Sequence, residues 1–148
     1  MALYTMLNVR KVVLGRGAAS VLAAASLLWM GGCRDRLGKA QPVTVGQLAA
    51  MLKGDDPPRL YDANGDRTRR EYGVIPGATL LPSSHDYAVG LLPAAKKSHL
   101  VFYCASTWCG AAEKAAERAL AQGYTAVSVL PDGIKGWREA GMPTSKPN

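Results

Sequence analysis

The sequence contains little of what metal-binding and nucleic-acid-binding proteins depend on. Its 148 residues include only three cysteines and two histidines, His85 and His99. The sequence does not contain the two paired-ligand motifs that a typical zinc site needs. We therefore expect no metal site. Lysine and arginine form no block interleaved with aromatic residues, and Arg67, Arg69 and Arg70 are better explained as a solvated helix face. The composition therefore argues against nucleic acid as a partner.

The net charge is also modest once the N-terminal segment is set aside. The whole chain has 18 basic and 11 acidic residues, a formal net charge of +7. Arg10, Lys11 and Arg16 lie in the first segment, so 15 basic and 11 acidic residues remain from Cys33 onward, a net charge of +4. A chain of this length forms one domain of ordinary size and buries a core without disulfide bonds.

The first 33 residues are typical of an export signal. Three basic residues precede an apolar run at 18–30, which is too short to span a bilayer comfortably. Gly31, Gly32 and Cys33 follow, and small residues at this position are typical of a secretory signal. The final MGGC also resembles the bacterial lipobox, in which the cysteine becomes lipidated, although Met30 stands where that motif prefers leucine.

This resemblance implies a lipoprotein-type signal peptide over residues 1–32 and lipidation at Cys33. We expect an exported protein that is held by this lipid anchor on the periplasmic face of a bacterial membrane. Residues 33–41 then form a polar tether, and residues 42–148 form the folded domain. Two alternatives stay open: cleavage near Gly32 without lipid, which gives a soluble periplasmic protein, and an uncleaved anchor. Arg34 replaces the aspartate of an inner-membrane retention signal, so the choice of membrane also stays open.

Beyond the tether, short β-rich runs alternate with helical segments, and no internal repeat occurs. The pattern predicts strands at 42–45, 59–62, 79–81, 100–103 and 125–130. It predicts helices at 46–53, 66–72, 87–92, 110–121 and 133–140. Such alternation is typical of an α/β fold with a largely parallel sheet.

The most informative stretch, residues 99–121, places a cysteine at a strand-to-helix turn. A β-rich run at 100–103 comes directly before Cys104, and a helical pattern begins near Gly110. Backbone amides of a tight loop that enters a helix favour an anion together with the helix dipole. We therefore expect Cys104 to be thiolate-prone, with a pKa below the usual value of about 8.5. The alternative is a buried apolar cysteine that ends a core strand.

Four motifs in order resemble those of a single rhodanese domain over about residues 43–144. Tyr61 and Asp62 stand where a strand of that family ends in aspartate. Residues 72–78, YGVIPGA, are similar to the family turn EY-x-x-GHIPGA. Residues 102–104, FYC, resemble the strand and the nucleophile of the active-site loop. Residues 132–143, DGIKGWREAGMP, are similar to the closing motif GG-x-x-AW-x-x-AG-x-P.

The resemblance implies a rhodanese-like α/β fold whose central, mostly parallel five-stranded sheet has helices on both faces. It implies a sulfurtransferase without a cofactor, in which Cys104 takes the outer sulfur of a small sulfane-sulfur donor as a persulfide. A thiol acceptor, or an acceptor protein, then receives this sulfur. The loop amides from Ala105 to Gly110 would stabilise the persulfide anion. Asp62 is a candidate for orienting the loop, and a structural hydrogen bond at the strand end is its alternative role.

The catalytic loop of the family has six residues, here CASTWC at 104–109, and it contains no lysine or arginine. A dianionic donor such as thiosulfate is therefore a poor match. Ser106 and Thr107 can donate hydrogen bonds, and Trp108 can form an apolar lip. The alternative for these three residues is turn formation and packing. Two further departures are Asn64, where the family often has arginine, and Val74, which replaces the histidine of GHIPGA.

Cys109 is a second cysteine in the same loop, five residues after Cys104. The loop curls around one point, so the two sulfurs reach disulfide range if both side chains face inward. Cys109 would then resolve a persulfide or a sulfenic acid on Cys104, or the pair would exchange with thiols of another protein. The alternative is an inert Cys109 in the core. The C-x4-C spacing differs from the C-x-x-C of thioredoxin-like sites.

Three classes of function therefore stay open. The first is the exported sulfurtransferase, and the second is a thiol–disulfide redox or sensing module that uses Cys104 and Cys109. The third is a non-catalytic binding domain, because the fold alone does not establish an activity.

Overall fold

The computed structural model describes residues 39–147. The strands are β1 (Gln41–Pro42), β2 (Arg59–Asp62), β3 (Thr79–Leu80), β4 (Leu100–Tyr103) and β5 (Val127–Leu130). The helices are α1 (Val45–Met51), α2 (Asp66–Tyr72), α3 (Ala111–Ala121) and α4 (Gly133–Glu139). The helix predicted at 87–92 is a shorter 3-10 turn, Val89–Leu91.

The five strands form one sheet in the order β1-β5-β4-β2-β3, and every neighbouring pair is parallel. Parallel neighbours require a crossover that carries the chain back, which the intervening helices and loops supply. β4 is the central strand, and all four of its residues are buried. The predicted α/β fold with a five-stranded sheet is confirmed, and the sheet is parallel throughout.

Alternation along β4 builds a core on each face of the sheet. Leu100 and Phe102 belong to a buried cluster that includes the inner face of α3. Val101 and Tyr103 belong to a second cluster that includes buried residues of α1 and α4. Helices therefore cover both faces, as predicted. Since successive side chains of a strand point to opposite faces, Cys104 continues the row of Leu100 and Phe102 toward α3.

The inner face of α3 consists of alanines. The four buried residues of this helix are Ala112, Ala115, Ala116 and Ala119. Alanine has the highest intrinsic helix propensity, and its short side chain allows a helix axis to lie close to the sheet. The N-terminal turn of α3 is therefore held near the end of β4.

A capping box at Thr44 sets the start of the first helix. The Thr44 hydroxyl accepts a hydrogen bond from the Gln47 amide at 3.2 Å, and the Gln47 side chain accepts one from the Thr44 amide at 2.8 Å. Because this cap commits residue 45 to the helix, the strand predicted over 42–45 is wrong at its C-terminal end. β1 begins one residue earlier, where Gln41 pairs with Ser128.

The predicted signal peptide at 1–32, the lipidation site Cys33 and most of the tether lie outside the described residues. In the part of the chain from 39 to 147, no helix is long and apolar enough to cross a membrane.

Candidate active site

Cys104 occupies the turn between β4 and α3, on the face of the sheet that α3 covers. Its side chain is 2% exposed and contributes to the same core cluster as Phe102 and Ala112. The backbone amide of Ala112, in the first turn of α3, faces the sulfur and acts to lower the pKa of Cys104. The N-terminal turn of α3 thus lies next to the Cys104 thiol.

Carbonyl oxygens are the other polar groups that face the Cys104 thiol. The thiol donates to the Cys109 carbonyl at 2.7 Å, and the Ser106 carbonyl lies 4.0 Å from the sulfur. The Cys109 amide donates to the Ser106 carbonyl. A carbonyl accepts from S–H and repels a thiolate, so this arrangement favours the protonated form.

Burial raises the pKa of Cys104 to about 12, with a smaller contribution from the nearby Cys109 thiol. The Ala112 amide opposes this shift and does not overcome it. The expectation of a thiolate-prone Cys104 is therefore wrong for this conformation of the loop. In this conformation, burial and the contact with the Cys109 carbonyl both favour the protonated thiol.

A tight turn brings Cys109 back to Cys104. The Cys109 amide donates to the Ser106 carbonyl at 2.9 Å, which reverses the chain over four residues. The Cys109 side chain is half-buried and packs against the cluster that contains Cys104. Both cysteines are free thiols. The two cysteines that the sequence singled out are therefore adjacent in the structure.

The rest of the loop faces outward. Trp108, at the tip of the loop, is 97% exposed, and Thr107 is also exposed. Ala105 and Ser106 are half-buried. Trp108 lies within the turn from Ser106 to Cys109, so turn formation holds, but packing is wrong because the residue is almost fully exposed. An exposed tryptophan beside two thiols is an apolar contact point on the outside of the loop.

The start of α4 holds the base of the loop. The Ile134 amide donates to the Cys104 carbonyl at 2.8 Å, and the Lys135 amide donates to the Ala105 carbonyl at 3.1 Å. Gly133 has a φ of +60°, and a Cβ at this position would lie 2.6 Å from the carbonyl carbon of Ala105. Only glycine allows this approach. Sequence reasoning did not single out Gly133, whose only signal was its place in the DGIKGW motif.

Asp62 is fully buried on the face of the sheet opposite Cys104. Its Oδ1 accepts from the Asn64 amide at 2.6 Å and from Arg69 Nε at 3.4 Å. Arg69 also donates to the carbonyls of Asp62 at 3.1 Å and of Leu81 at 2.8 Å. Arg69 is itself buried, so the prediction of a solvated helix face is wrong for this residue. None of these partners belongs to the loop at 104–109. These contacts fit the alternative role that was given for Asp62, a structural hydrogen bond at the end of the strand.

A cavity of about 470 Å³ lies beside the loop. Its lining includes Ser106 and Thr107 from the loop and Asp132, Lys135 and Glu139 from α4 and its start. Lys135 supplies a cation that the loop lacks, but two carboxylates share the cavity, and its ammonium lies 5.0 Å from the centre of the Tyr72 ring. The charged groups that line this cavity therefore still disfavour a dianionic donor.

The two histidines lie apart from each other. His99 bonds with Ser128 at 2.9 Å, beside a larger cavity of about 630 Å³ at the start of β4, the end of the sheet away from Cys104. His85 is exposed and lies 3.5 Å from the Ser83 hydroxyl. Over residues 39–147, no three histidine, cysteine, aspartate or glutamate side chains are grouped as a metal ion would require.

The profile of the family described as "Rhodanese-like domain" matches residues 44–140. The chain therefore belongs to the rhodanese-like family. This match spans both the Asp62 network and the loop that carries Cys104. No curated protein sequence matches the chain significantly.

Solved structures from several bacteria share the fold. A rhodanese-like domain protein from Staphylococcus aureus is 22% identical with a TM-score of 0.54, over 72% of this chain and 99% of that chain. A thiosulfate sulfurtransferase from Pseudomonas aeruginosa is 24% identical with a TM-score of 0.57, over 74% of this chain and 20% of that chain. A protein of unknown function from Rhodopseudomonas palustris, described as a possible tyrosine phosphatase, is 22% identical with a TM-score of 0.59, over 72% of this chain and 85% of that chain. At these identities, the structural similarity shows a common fold.

Proposed function

We propose that this protein is an exported sulfurtransferase that carries sulfane sulfur as a persulfide on Cys104. The observation that supports this proposal most is the position of Cys104. It ends the central strand at the start of α3, with its carbonyl held by the Ile134 amide at 2.8 Å. This is where the resemblance to rhodanese domains puts the nucleophile.

The proposed reaction has two transfers of the same sulfur atom. The Cys104 thiol loses its proton, and the thiolate attacks the outer sulfur of the donor, whose remaining part leaves with the electron pair. An acceptor thiolate then attacks the outer sulfur of the Cys104 persulfide, and the Cys104 thiolate leaves. The transferred sulfur keeps its oxidation state, so the reaction needs no redox cofactor.

In this proposal, opening of the loop links donor access to deprotonation. Cys104 is 2% exposed and its thiol donates to the Cys109 carbonyl, so a donor reaches the sulfur only when residues 105–109 move. The same movement removes the carbonyl and hydrates the sulfur, and both changes lower the pKa of Cys104. The Ala112 amide stays near the sulfur because it belongs to α3.

A persulfide of low molecular weight is the donor class that the charges favour over thiosulfate. The loop offers no cationic side chain, and Lys135 shares its cavity with Asp132 and Glu139. We propose a thiol, free or on a protein, as the acceptor. The exposed Trp108 is then available to a protein acceptor on the outside of the loop.

Intact mass measurement tests the persulfide directly. The reduced protein, in a Cys33→Ser background that removes the third thiol, is incubated with thiosulfate or with cysteine persulfide. The expected first product with the persulfide donor is a protein that has gained one sulfur, and Cys104→Ser abolishes this gain. If neither donor adds sulfur in any variant that carries Cys104, the proposal is wrong.

The adjacent thiols favour a second candidate, a thiol–disulfide redox or sensing module. The Cys104 thiol lies against Cys109 through the contact at 2.7 Å, and disulfide formation would need only local rearrangement of the loop. Oxidised glutathione is the matching probe, since it contains no sulfane sulfur. Rapid loss of two hydrogens by the parent with this probe, together with no sulfur adduct on Cys109→Ser from either donor, would support this candidate instead.

We also propose that the protein is cleaved before Cys33 and anchored to a bacterial membrane by lipid on that cysteine. The pattern of residues 1–33 supports this proposal. The full chain is produced in a bacterial host, and its N-terminal peptide is identified by mass spectrometry. We expect a lipid-modified Cys33 and a shift to the soluble fraction or to uncleaved protein in Cys33→Ser. An unmodified Met1 in the wild-type protein would contradict export and lipidation.

A further inference from the structure

We infer that Cys109 resolves the persulfide on Cys104, releasing the carried sulfur as hydrogen sulfide and leaving a disulfide between the two cysteines. An external dithiol then reduces this disulfide. The inference rests on the proposed function, because it requires a persulfide on Cys104. It adds a product, hydrogen sulfide, and a second partner, a dithiol reductant.

The first observation is that the loop delivers Cys109 to the reacting sulfur. The hydrogen bond from the Cys109 amide to the Ser106 carbonyl, at 2.9 Å, closes a four-residue turn. The turn sets the Cys109 carbonyl 2.7 Å from the Cys104 sulfur. The Cys109 side chain packs on the cluster that contains Cys104, so it points toward the protein and not into solvent.

The second observation is the unequal burial of the two thiols. Cys104 is 2% exposed, whereas Cys109 is half-buried. An external thiol must open the loop before it reaches a sulfur on Cys104. The Cys109 thiol belongs to the loop and already packs on the cluster that contains Cys104. A group held next to its partner reacts as if it were present at very high concentration, so internal attack competes well with an external acceptor.

The reaction balances without a further oxidant. The Cys109 thiolate attacks the inner sulfur of the Cys104 persulfide, and a bond forms between the two cysteine sulfurs. The bond between the inner and outer sulfur breaks, and the outer sulfur leaves with the electron pair and takes a proton as hydrosulfide. The sulfane sulfur is reduced to sulfide, and the two cysteines are oxidised to a disulfide.

Reduction of the disulfide back to two thiols also depends on the difference in burial between Cys104 and Cys109. In the disulfide, Cys109 supplies the more accessible sulfur, so the first thiolate of a dithiol attacks there and frees Cys104. The second thiolate of the reductant then displaces Cys109 and becomes a disulfide itself. A monothiol completes the same cycle only when a second molecule attacks the mixed disulfide, which makes a dithiol the fitting class of reductant.

The test compares three proteins in the Cys33→Ser background: the parent, Cys109→Ser, and Ala121→Ser, which introduces a serine at an exposed position at the end of α3, outside the loop, and leaves both thiols. Each reduced protein receives one equivalent of cysteine persulfide, and sulfide release and intact mass are followed over time. We expect the parent and Ala121→Ser to release sulfide and to end two hydrogens lighter. We expect Cys109→Ser to keep one added sulfur at least about tenfold longer than the parent does, because internal attack is lost.

The outcomes separate this inference from the proposed function. If the parent keeps its added sulfur as long as Cys109→Ser does, the inference is wrong and the persulfide carrier stands. If Cys109→Ser gains no sulfur at all, the proposed function fails. A disulfide in the parent together with no adduct in Cys109→Ser means direct oxidation, which overturns both.

Discussion

The backbone of the Cys104 loop fills the space that a side chain at residue 133 would need. A Cβ on Gly133 would lie 2.6 Å from the carbonyl carbon of Ala105 and 2.7 Å from the amide nitrogen of Ser106. The residues that follow Gly133 hold the loop through amide hydrogen bonds from Ile134 and Lys135. The start of α4 and the cysteine loop are therefore fitted to each other, and any side chain at 133 must displace one of them.

Gly133→Ala is expected to destabilise the domain by more than a left-handed backbone alone does. The left-handed conformation costs a residue with a Cβ about 1–2 kcal/mol, and the contact with the loop adds to this cost. Gly141→Ala is the matched control, because Gly141 has a φ of +72° with nothing within 4 Å of its Cβ position. Denaturant unfolding of both variants measures the difference. Equal losses of stability would show that the loop contact carries no cost.

Arg69→Ala is expected to destabilise the domain because it leaves a buried carboxylate without its charged partner. Asp62 is fully buried, and its Oδ2 has no hydrogen-bond partner in the described structure. Removing one member of a buried ion pair typically costs about 3–5 kcal/mol. Arg67→Ala, an exposed change on the same helix, is expected to stay within about 0.5 kcal/mol of the wild type. A loss below about 1 kcal/mol in Arg69→Ala, measured by urea unfolding, would contradict this view of the pair.

Several elements could be predicted from the sequence because local signals set both their ends. β2 and α2 begin and end where predicted, since GDDPP precedes the strand and Gly73 follows the helix with a φ of +78°. β4 was equally clear, because four apolar residues in a row are typical of a buried parallel strand. The start of α1 was missed because the reciprocal bonds between Thr44 and Gln47 decide it.

The position of Cys104 could be predicted, but its protonation state could not. The residue types of CASTWC do not reveal whether the loop turns its amides or its carbonyls toward the sulfur. That choice depends on the backbone angles of the loop, which here aim the Cys109 carbonyl at the thiol. In the same way, the hydrogen bonds of Asp62 to Arg69 depend on how α2 packs across the end of β2.

The Cys104 thiol is expected to make stability depend on pH in alkaline solution. Its pKa is about 12 in the folded protein, where burial is the main cause, and is near 9.0 without that burial. As pH rises from about 9 to 12, the unfolded chain therefore loses this proton first and is favoured. The contribution of Cys104 is fully present below about pH 9 and is lost as pH approaches 12.

Comparison with Cys104→Ser isolates this effect, because the buried Tyr87, whose pKa is also raised to about 12 by burial, is present in both proteins. Between pH 9 and 11, the free energy of unfolding of the wild type is expected to fall more steeply, by up to about 1.4 kcal/mol per pH unit. Parallel curves for the two proteins would show that the Cys104 proton is not held by the fold.

Alkylation distinguishes the closed loop from the thiolate expected from the sequence alone. A cysteine activated by a helix N-terminus would react first, but here Cys104 is 2% exposed and its pKa is raised by burial. Cys109 is half-buried and is the more accessible of the two. With iodoacetamide near neutral pH, peptide mass spectrometry is therefore expected to find Cys109 modified at least about tenfold faster than Cys104. Equal rates after unfolding in urea serve as the control. Preferential modification of Cys104 in the folded protein would mean that the loop is mostly open in solution, and that its amides, not its carbonyls, then face the sulfur.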